Sequence, residues 1–134
     1  MLRGMGRRPA TQPTHAELDI LRVLWARGPS TVRQVYDTLS AGRQFAYTTT
    51  LKLLQLMTEK GVTLREVQGR AHVYRAAVAQ EQTQQHILSD LLERAFGGSA
   101  TQLVMQALAA KPASTEELRE IRRLLAEHEE KNHG

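Results

Sequence analysis

The stretch 46-AYTTTLKLLQLMTEKGVTLREVQGRAHVYRAA-77 decides the fold, because its apolar residues change from helical to strand spacing part-way along. In residues 46–60 they recur every three or four positions, which predicts a helix closed by Gly61. Residues 62–67 and 72–77 are short runs rich in β-branched or aromatic residues on either side of a glycine-containing turn. This pattern predicts a β-hairpin.

Two further helices are expected before this stretch. Thr14 and Glu17 match a capping box that opens the first helix, Gly28-Pro29 stops it, and Ser30 is expected to cap the second. Three helices followed by a hairpin with a basic tip are the order of a winged helix-turn-helix. From residue 79 onward the pattern is helical, with breaks at Gly97-Gly98 and at Lys111-Pro112.

The predicted fold is therefore mainly α. It comprises a flexible basic arm at residues 1–13, an N-terminal winged helix-turn-helix with a small β-hairpin wing at 14–78, and a three-helix C-terminal dimerisation domain at 79–131. The 134 residues suit one compact domain, or a small domain with an arm.

The net charge of +4 is unevenly distributed along the chain. Residues 1–77 hold 12 Lys or Arg and 5 Asp or Glu, a net of +7, whereas residues 78–134 hold 6 and 9, a net of −3. A basic half joined to an acidic half predicts that the first half meets a polyanion. Chance clustering on solvated faces is the alternative.

Composition also excludes several classes of protein. The chain has no cysteine, so it has no disulfide scaffold and no thiolate metal site, and it fits a reducing compartment. No apolar run approaches the ~20 residues of a membrane span, and the N-terminus lacks the apolar segment of a secretory signal. We therefore expect a cytoplasmic protein that does not insert into a membrane.

The outward face of the third helix is polar. At 100° per residue, Thr48, Lys52 and Gln55 point away from the inward stripe of Thr50, Leu53, Leu54 and Met57, and Thr49 lies on the flank. An α-helix fits the major groove of DNA, where such side chains can read base edges. Arg33, Arg43 and the wing residue Arg70 would each neutralise a phosphate and make binding salt-dependent.

The apolar stripes of the last three helices predict a homodimer. Three short helices have too little mutual surface for an independent core, and a second copy of the chain would cover the stripes. The predicted dimerisation residues are Ile87, Leu88, Leu91, Leu92, Phe96, Leu103, Val104, Leu108, Leu118, Ile121 and Leu125.

Catalytic motifs are missing from the sequence. The five histidines are scattered without the HExxH spacing of a zinc site, and neither a GxSxG elbow nor a phosphate-binding glycine loop occurs. The prediction is a protein that is not an enzyme, with no metal site and no cofactor.

The sequence resembles the penicillinase and methicillin-resistance repressors, a family that also contains copper-transport repressors. The resemblance is carried by the helix 46–61, by Glu17-x-x-Ile-Leu-x-x-Leu-Trp25, by Thr31-Val-Arg-Gln-Val35 and by Gly69-Arg-Ala-His-x-Tyr74. Leu103-Val104 and the later Glu-Glu-Leu118 extend it, so that it covers roughly residues 14–128. It implies a homodimeric winged-helix repressor that binds a palindromic operator in double-stranded DNA. It also adds Thr31, Ala46 and Tyr47 to the predicted DNA-binding residues, although Tyr47 could instead pack on the first helix.

Two departures from the family bear on the inducing signal. Copper-responsive members end in paired cysteines, which this chain lacks, so copper sensing by that route is not expected. The β-lactam-responsive members are cleaved at an Asn-Phe bond, and Gln106-Ala107 stands at that place here. A membrane sensor protease as partner would therefore need a different specificity, and another signal is the alternative.

The leading hypothesis is thus a DNA-binding repressor, with a stress or antibiotic response as its candidate setting. The alternative is a winged-helix module in which the third-helix face binds a protein. The basic first half and the Thr, Lys and Gln side chains on that face favour DNA.

Overall fold

The computed structural model describes residues 13–41 and 46–133. The helices are α1 (His15–Arg27), α2 (Val32–Ser40), α3 (Tyr47–Glu59), α4 (Gln80–Phe96), α5 (Ala100–Ala110) and α6 (Thr115–His133), and the strands are β1 (Ser30–Thr31), β2 (Thr63–Gln68) and β3 (Ala71–Ala76). The predicted arm, apart from Pro13, and Arg43 lie outside the described residues.

The chain divides into two compact units, Met1–Ser89 and Asp90–Gly134. The domain boundary predicted near residue 78 lies in the connection between β3 and α4, whereas the boundary between the two units lies within α4. The first part of α4 therefore belongs to the first unit.

The first unit builds α1, α2 and α3 against a three-stranded antiparallel sheet of order β1-β3-β2. In the hairpin Thr63 pairs with Ala76 and Gln68 with Ala71, and the turn between the strands contains Gly69 at φ 63°. That positive φ is one that glycine adopts without steric cost. The hairpin expected from the sequence is present, with each strand shifted by one residue from its expected bounds.

The start of α2 differs from the sequence-based expectation. Ser30 does not cap the helix: it lies in β1, is fully buried, and its hydroxyl donates to the carbonyl of Gly28 at 2.8 Å. Thr31 is the N-cap instead, and it forms a reciprocal capping box with Gln34. Ser30 pairs with Tyr74 and Thr31 with Val73, so a strand pairing with distant residues moves the cap one position along.

The hydrophobic core of the first unit lies where the three helices meet the sheet. Its fully buried members include Ile20 and Leu21 of α1, Val35 of α2, and Leu54 and Met57 of α3. Burying a side chain of this size is worth roughly 1.5–3 kcal/mol. Consequently the opposite face of α3 is the one left to solvent.

An ion pair between the buried Glu17 and the exposed Lys60 links the beginning of α1 to the end of α3. Glu17 is 4% exposed, and its carboxylate accepts from the Thr14 backbone N–H at 3.1 Å and from Lys60 Nζ at 2.6 Å. Burial alone would raise the pKa of Glu17, but the hydrogen bonds from Lys60 and Thr14 and the Lys60 charge outweigh burial and hold the pKa below its usual value.

The chain's single tryptophan joins α1 to the residues that precede α4. Trp25 is half-buried, packs against the core and donates its indole N–H to the carbonyl of Val78 at 3.0 Å. A half-buried tryptophan normally finds a partner for that polar group, and here the partner is a backbone oxygen.

Helices α5 and α6 of the second unit begin with hydrogen-bonded caps. Ser99 caps α5 by accepting from the Gln102 N–H, and Ser114 forms a capping box with Glu117 at the start of α6. Along α6, the exposed Arg123 pairs with Glu120 and Glu127. These caps and pairs are local to each helix, and none of the side chains of α5 is buried.

Candidate nucleic-acid interface

The exposed face of α3 carries the side chains expected to meet DNA. Thr48, Thr49, Lys52 and Gln55 are all exposed, whereas Thr50, one position further, is fully buried. The Thr50 hydroxyl donates to the Ala46 carbonyl at 3.1 Å, so its polar group is satisfied within the helix. No hydrogen bond from Thr48, Thr49, Lys52 or Gln55 to another side chain occurs within residues 13–41 and 46–133.

The first turn of α3 is open to solvent. Ala46 is its N-cap, is exposed, and has no side chain that could accept from the backbone N–H groups of the first turn. Tyr47, the first helical residue, is 41% exposed. Its ring meets the Tyr36 ring of α2 edge to face, with 5.6 Å between the centroids.

Arg33 lies at the junction of α2 and α3. Its Cζ atom is 5.5 Å from the centroid of the Tyr47 ring and 5.9 Å from that of Tyr36, both within the range of a cation–π contact. Within the described part of the chain Arg33 has no carboxylate partner. The nearby Thr31 uses its hydroxyl to accept from the Gln34 N–H at 3.2 Å, so it has a structural role whatever else it contacts.

The wing adds positive charge to the first unit. Arg70 is exposed at the hairpin turn, and Arg65 is exposed on β2. Neither forms an ion pair with a described residue, whereas Arg75 pairs with Glu66 at 3.6 Å on the exposed strands. Exposed pairs of this kind contribute about 0–1 kcal/mol.

An open cleft of about 320 Å³ lies between the C-terminal half of α3 and the wing. It is lined by Gln55, Thr58, Glu59, Arg65 and Tyr74. The Thr58 and Thr63 hydroxyls are 2.8 Å apart, and this bond links α3 to β2 next to the cleft.

Tyr36 and Arg65 also belong to this surface, although their sequence positions did not indicate it. Tyr36 fits the apolar stripe of α2, and its contact with Tyr47 depends on how two helices cross. The period of a β-strand would have been enough to place Arg65 on the same face as Thr63, which packs toward the helices.

Within the described residues, no group of three or more His, Asp or Glu side chains could hold a metal ion.

The predicted dimerisation residues are all at least partly exposed in this chain. Leu88 is 48% exposed, Leu91 45%, Val104 48%, Leu108 37%, Leu118 36% and Leu125 59%. Ile87, Leu92, Phe96, Leu103 and Ile121 are half-buried. Gln106 and Ala107, the residues at the expected cleavage position, are exposed within α5.

Comparison with known proteins identifies the family. A family model described as penicillinase repressor matches residues 13–127. The chain belongs to the penicillinase repressor family. This match confirms the family resemblance found in the sequence. It also confirms the prediction that the chain is a DNA-binding transcriptional regulator.

Two relatives cover most of the chain. The transcriptional regulator BlaI of Mycobacterium tuberculosis is 33% identical over 114 residues, which are 84% of this chain and 82% of the relative. The penicillinase repressor of Bacillus licheniformis is 25% identical over 117 residues, 87% of this chain and 91% of the relative.

A solved structure supports the winged-helix fold. A MarR family protein from Bacillus stearothermophilus matches 94% of this chain and 80% of its own chain, with a TM-score of 0.50 and 18% identity. At that identity the likeness concerns the fold alone.

None of the helices in residues 13–41 and 46–133 combines the length and apolar character that a membrane span requires.

Proposed function

We propose that this chain is a homodimeric repressor that binds a palindromic operator through the exposed face of α3. The observation that carries the proposal is the ridge of Thr48, Lys52 and Gln55, which is exposed and free of side-chain partners among the described residues, in a member of the penicillinase repressor family. The relatives are named as a transcriptional regulator and as a penicillinase repressor, which supports repression. The proposal includes a cytoplasmic location, because the chain would meet its operator DNA there.

The side chains of the ridge suit direct readout in the major groove. Gln55 can pair with an adenine edge, Lys52 can reach guanine or a phosphate, and the Thr48 methyl group can press on a thymine methyl. Arg33 of α2 and Arg70 of the wing can each neutralise a phosphate. The ridge then supplies specificity, and the two arginines supply most of the salt-dependent affinity.

A dimer would match a palindromic operator, and it would account for the exposed apolar residues of α4, α5 and α6. Two copies related by a two-fold axis would present their α3 helices about 34–36 Å apart, on successive major grooves of one DNA face. A second copy would also cover side chains such as Leu125 and Val104, which are about half exposed in one chain.

The test is a fluorescence-anisotropy titration with duplex DNA from upstream of the chain's own gene and with a scrambled duplex. We expect nanomolar binding to the first, a steep loss with salt, and much weaker binding to the second. The variant Lys52→Ala/Arg70→Ala should lose this discrimination.

The matched control is Arg119→Ala/Lys131→Ala. It also removes one arginine and one lysine charge, but from the exposed surface of α6 in the acidic half of the chain. It should bind like the wild-type chain. Equal affinity of the wild-type chain for both duplexes, unchanged in Lys52→Ala/Arg70→Ala, would exclude sequence-specific repression.

Induction by proteolysis is the finer part of the proposal. Gln106-Ala107 lies inside the exposed helix α5, so a sensor protease would have to unwind a helical turn to reach the bond. A membrane metalloprotease gene next to this one, together with cleavage after Gln106 when both are co-expressed, would support it. An intact chain under inducing conditions would point to another signal.

A further inference from the structure

Arg33, Tyr36 and Tyr47 form a cluster where α2 meets the start of α3. Base readout and phosphate binding give Tyr36 no role in this cluster. Its ring meets Tyr47 at an interplanar angle of 71°, and the Arg33 guanidinium lies 5.9 Å from its centroid. Tyr36 itself is half-buried, whereas Arg33 and Tyr47 are exposed. The half-buried Tyr36 ring therefore contacts two side chains, Arg33 and Tyr47, that are themselves exposed to solvent.

We propose that Tyr36 is a positioning residue of the DNA interface, which holds Arg33 and Tyr47 in place at the start of α3. The proposal rests on the DNA binding proposed above. Tyr36 acts through Arg33: the guanidinium is held over two rings before DNA arrives, and no described carboxylate competes for its charge. DNA phosphate is the partner, because a fixed guanidinium matches phosphate geometry.

The physical advantage is preorganisation. A free arginine side chain samples many rotamers and loses that freedom when it binds a phosphate. Contacts with the Tyr36 and Tyr47 rings restrict Arg33 in the unbound chain, so less freedom is lost on binding. The ring faces and edges make these contacts, so the hydroxyl of Tyr36 is not required for them.

The contacts predict a specific pattern of affinities. In the 134-residue chain, Tyr36→Leu should weaken binding to the upstream duplex about threefold to tenfold, the size of the side-chain freedom that Arg33 would then lose on binding. Tyr36→Phe should bind within about twofold of the wild-type chain, because it keeps the ring.

A double-variant comparison separates positioning from simple packing. In the Arg33→Ala background, Tyr36→Leu should cost less affinity than in the wild-type background, because one of the two residues that it positions is already gone. A merely structural role predicts the same loss in both backgrounds. Leu39→Ala is the matched control, since Leu39 is a half-buried residue of the same helix that packs on the core. It should lower the melting temperature without changing the affinity of the folded chain.

A second variant avoids any dependence on how Tyr36→Leu folds. Arg33→Lys changes an exposed side chain, keeps its charge and removes the planar group that stacks on the rings, so it should also weaken binding severalfold. The inference is overturned if Arg33→Lys binds like the wild-type chain, or if Tyr36→Leu costs equally with and without Arg33. Failure of the wild-type chain to bind the upstream duplex would overturn the proposed function as well, whereas wild-type binding that Tyr36→Leu leaves unchanged overturns this inference alone.

Discussion

The three consecutive threonines at the start of α3 have different roles, and helical geometry alone separates them. A rotation of about 100° per residue turns Thr50 into the core while Thr48 and Thr49 stay outside, and the structure agrees. The cluster of Arg33, Tyr36 and Tyr47 could not be predicted in this way. Its distances depend on the crossing of α2 and α3, which no single helical period contains.

The pair of buried Glu17 and exposed Lys60 contributes to the stability of the first unit. Lys60→Met should lower the free energy of unfolding by about 1–3 kcal/mol, because the Glu17 carboxylate remains buried after losing a charged donor. Urea denaturation at pH 7 measures the change. Lys131→Met, on the exposed surface of α6, is the control and should have no effect. Equal stability of the two variants would mean that the pair contributes nothing.

The same pair makes stability depend on pH. The pKa of Glu17 is lower in the folded chain than in the unfolded chain, so its contribution is complete above the unfolded value and is lost as the pH falls through the folded value. The free energy of unfolding should therefore decrease below about pH 4. Urea titrations from pH 7 to pH 3 should show a shallower decrease for Glu17→Gln than for the wild-type chain. Parallel curves would refute this assignment.

At the scale of elements, local signals and long-range pairings differ in how well the sequence predicts them. The capping box of Thr14 and Glu17 and the hairpin around Gly69 depend on neighbouring residues, and both are present as expected. Strand β1 has only two residues, and its partners Val73 and Tyr74 lie more than forty positions away. Nothing in its own sequence distinguishes it from a turn, so the cap of α2 was expected one residue too early.

Variants of Thr31 can separate its cap role from the predicted contact with DNA. Thr31→Ala should lower the free energy of unfolding by about 1 kcal/mol, because the Gln34 N–H loses its acceptor. Thr31→Asp keeps a good cap and adds a negative charge, so it should remain stable but bind the upstream duplex more weakly if a phosphate lies nearby. Thr31→Ser should match the wild-type chain in both assays. Wild-type affinity in a stable Thr31→Asp would remove Thr31 from the interface.

At the scale of the whole molecule, the uneven charge and the exposed apolar residues are the features that the sequence predicted most directly. Both follow from counting side chains and from helical period, without knowledge of tertiary contacts. The partner that covers the apolar residues could not be identified in this way. Contacts within one chain do not say which molecule covers an exposed surface, so the dimer remains a prediction.

Leu125→Glu tests the dimer without disturbing a buried core. Leu125 is 59% exposed, so a glutamate there should leave the chain folded but shift a dimer toward 15 kDa monomers in sedimentation velocity. Ala126→Glu adds the same charge at the neighbouring exposed position, outside the apolar stripe of α6, and should leave the oligomeric state unchanged. A monomeric wild-type chain at micromolar concentration would contradict the proposal.

The hydrogen bond from Trp25 to Val78 gives the chain a built-in optical reporter. The indole is the only one in the sequence, and its N–H group is held by a residue that leads into α4. Any event that detaches this connection from α1, whether proteolysis, an inducer or an operator, exposes the ring to water and shifts its fluorescence to longer wavelength. The state of the connection can therefore be followed in the unlabelled protein.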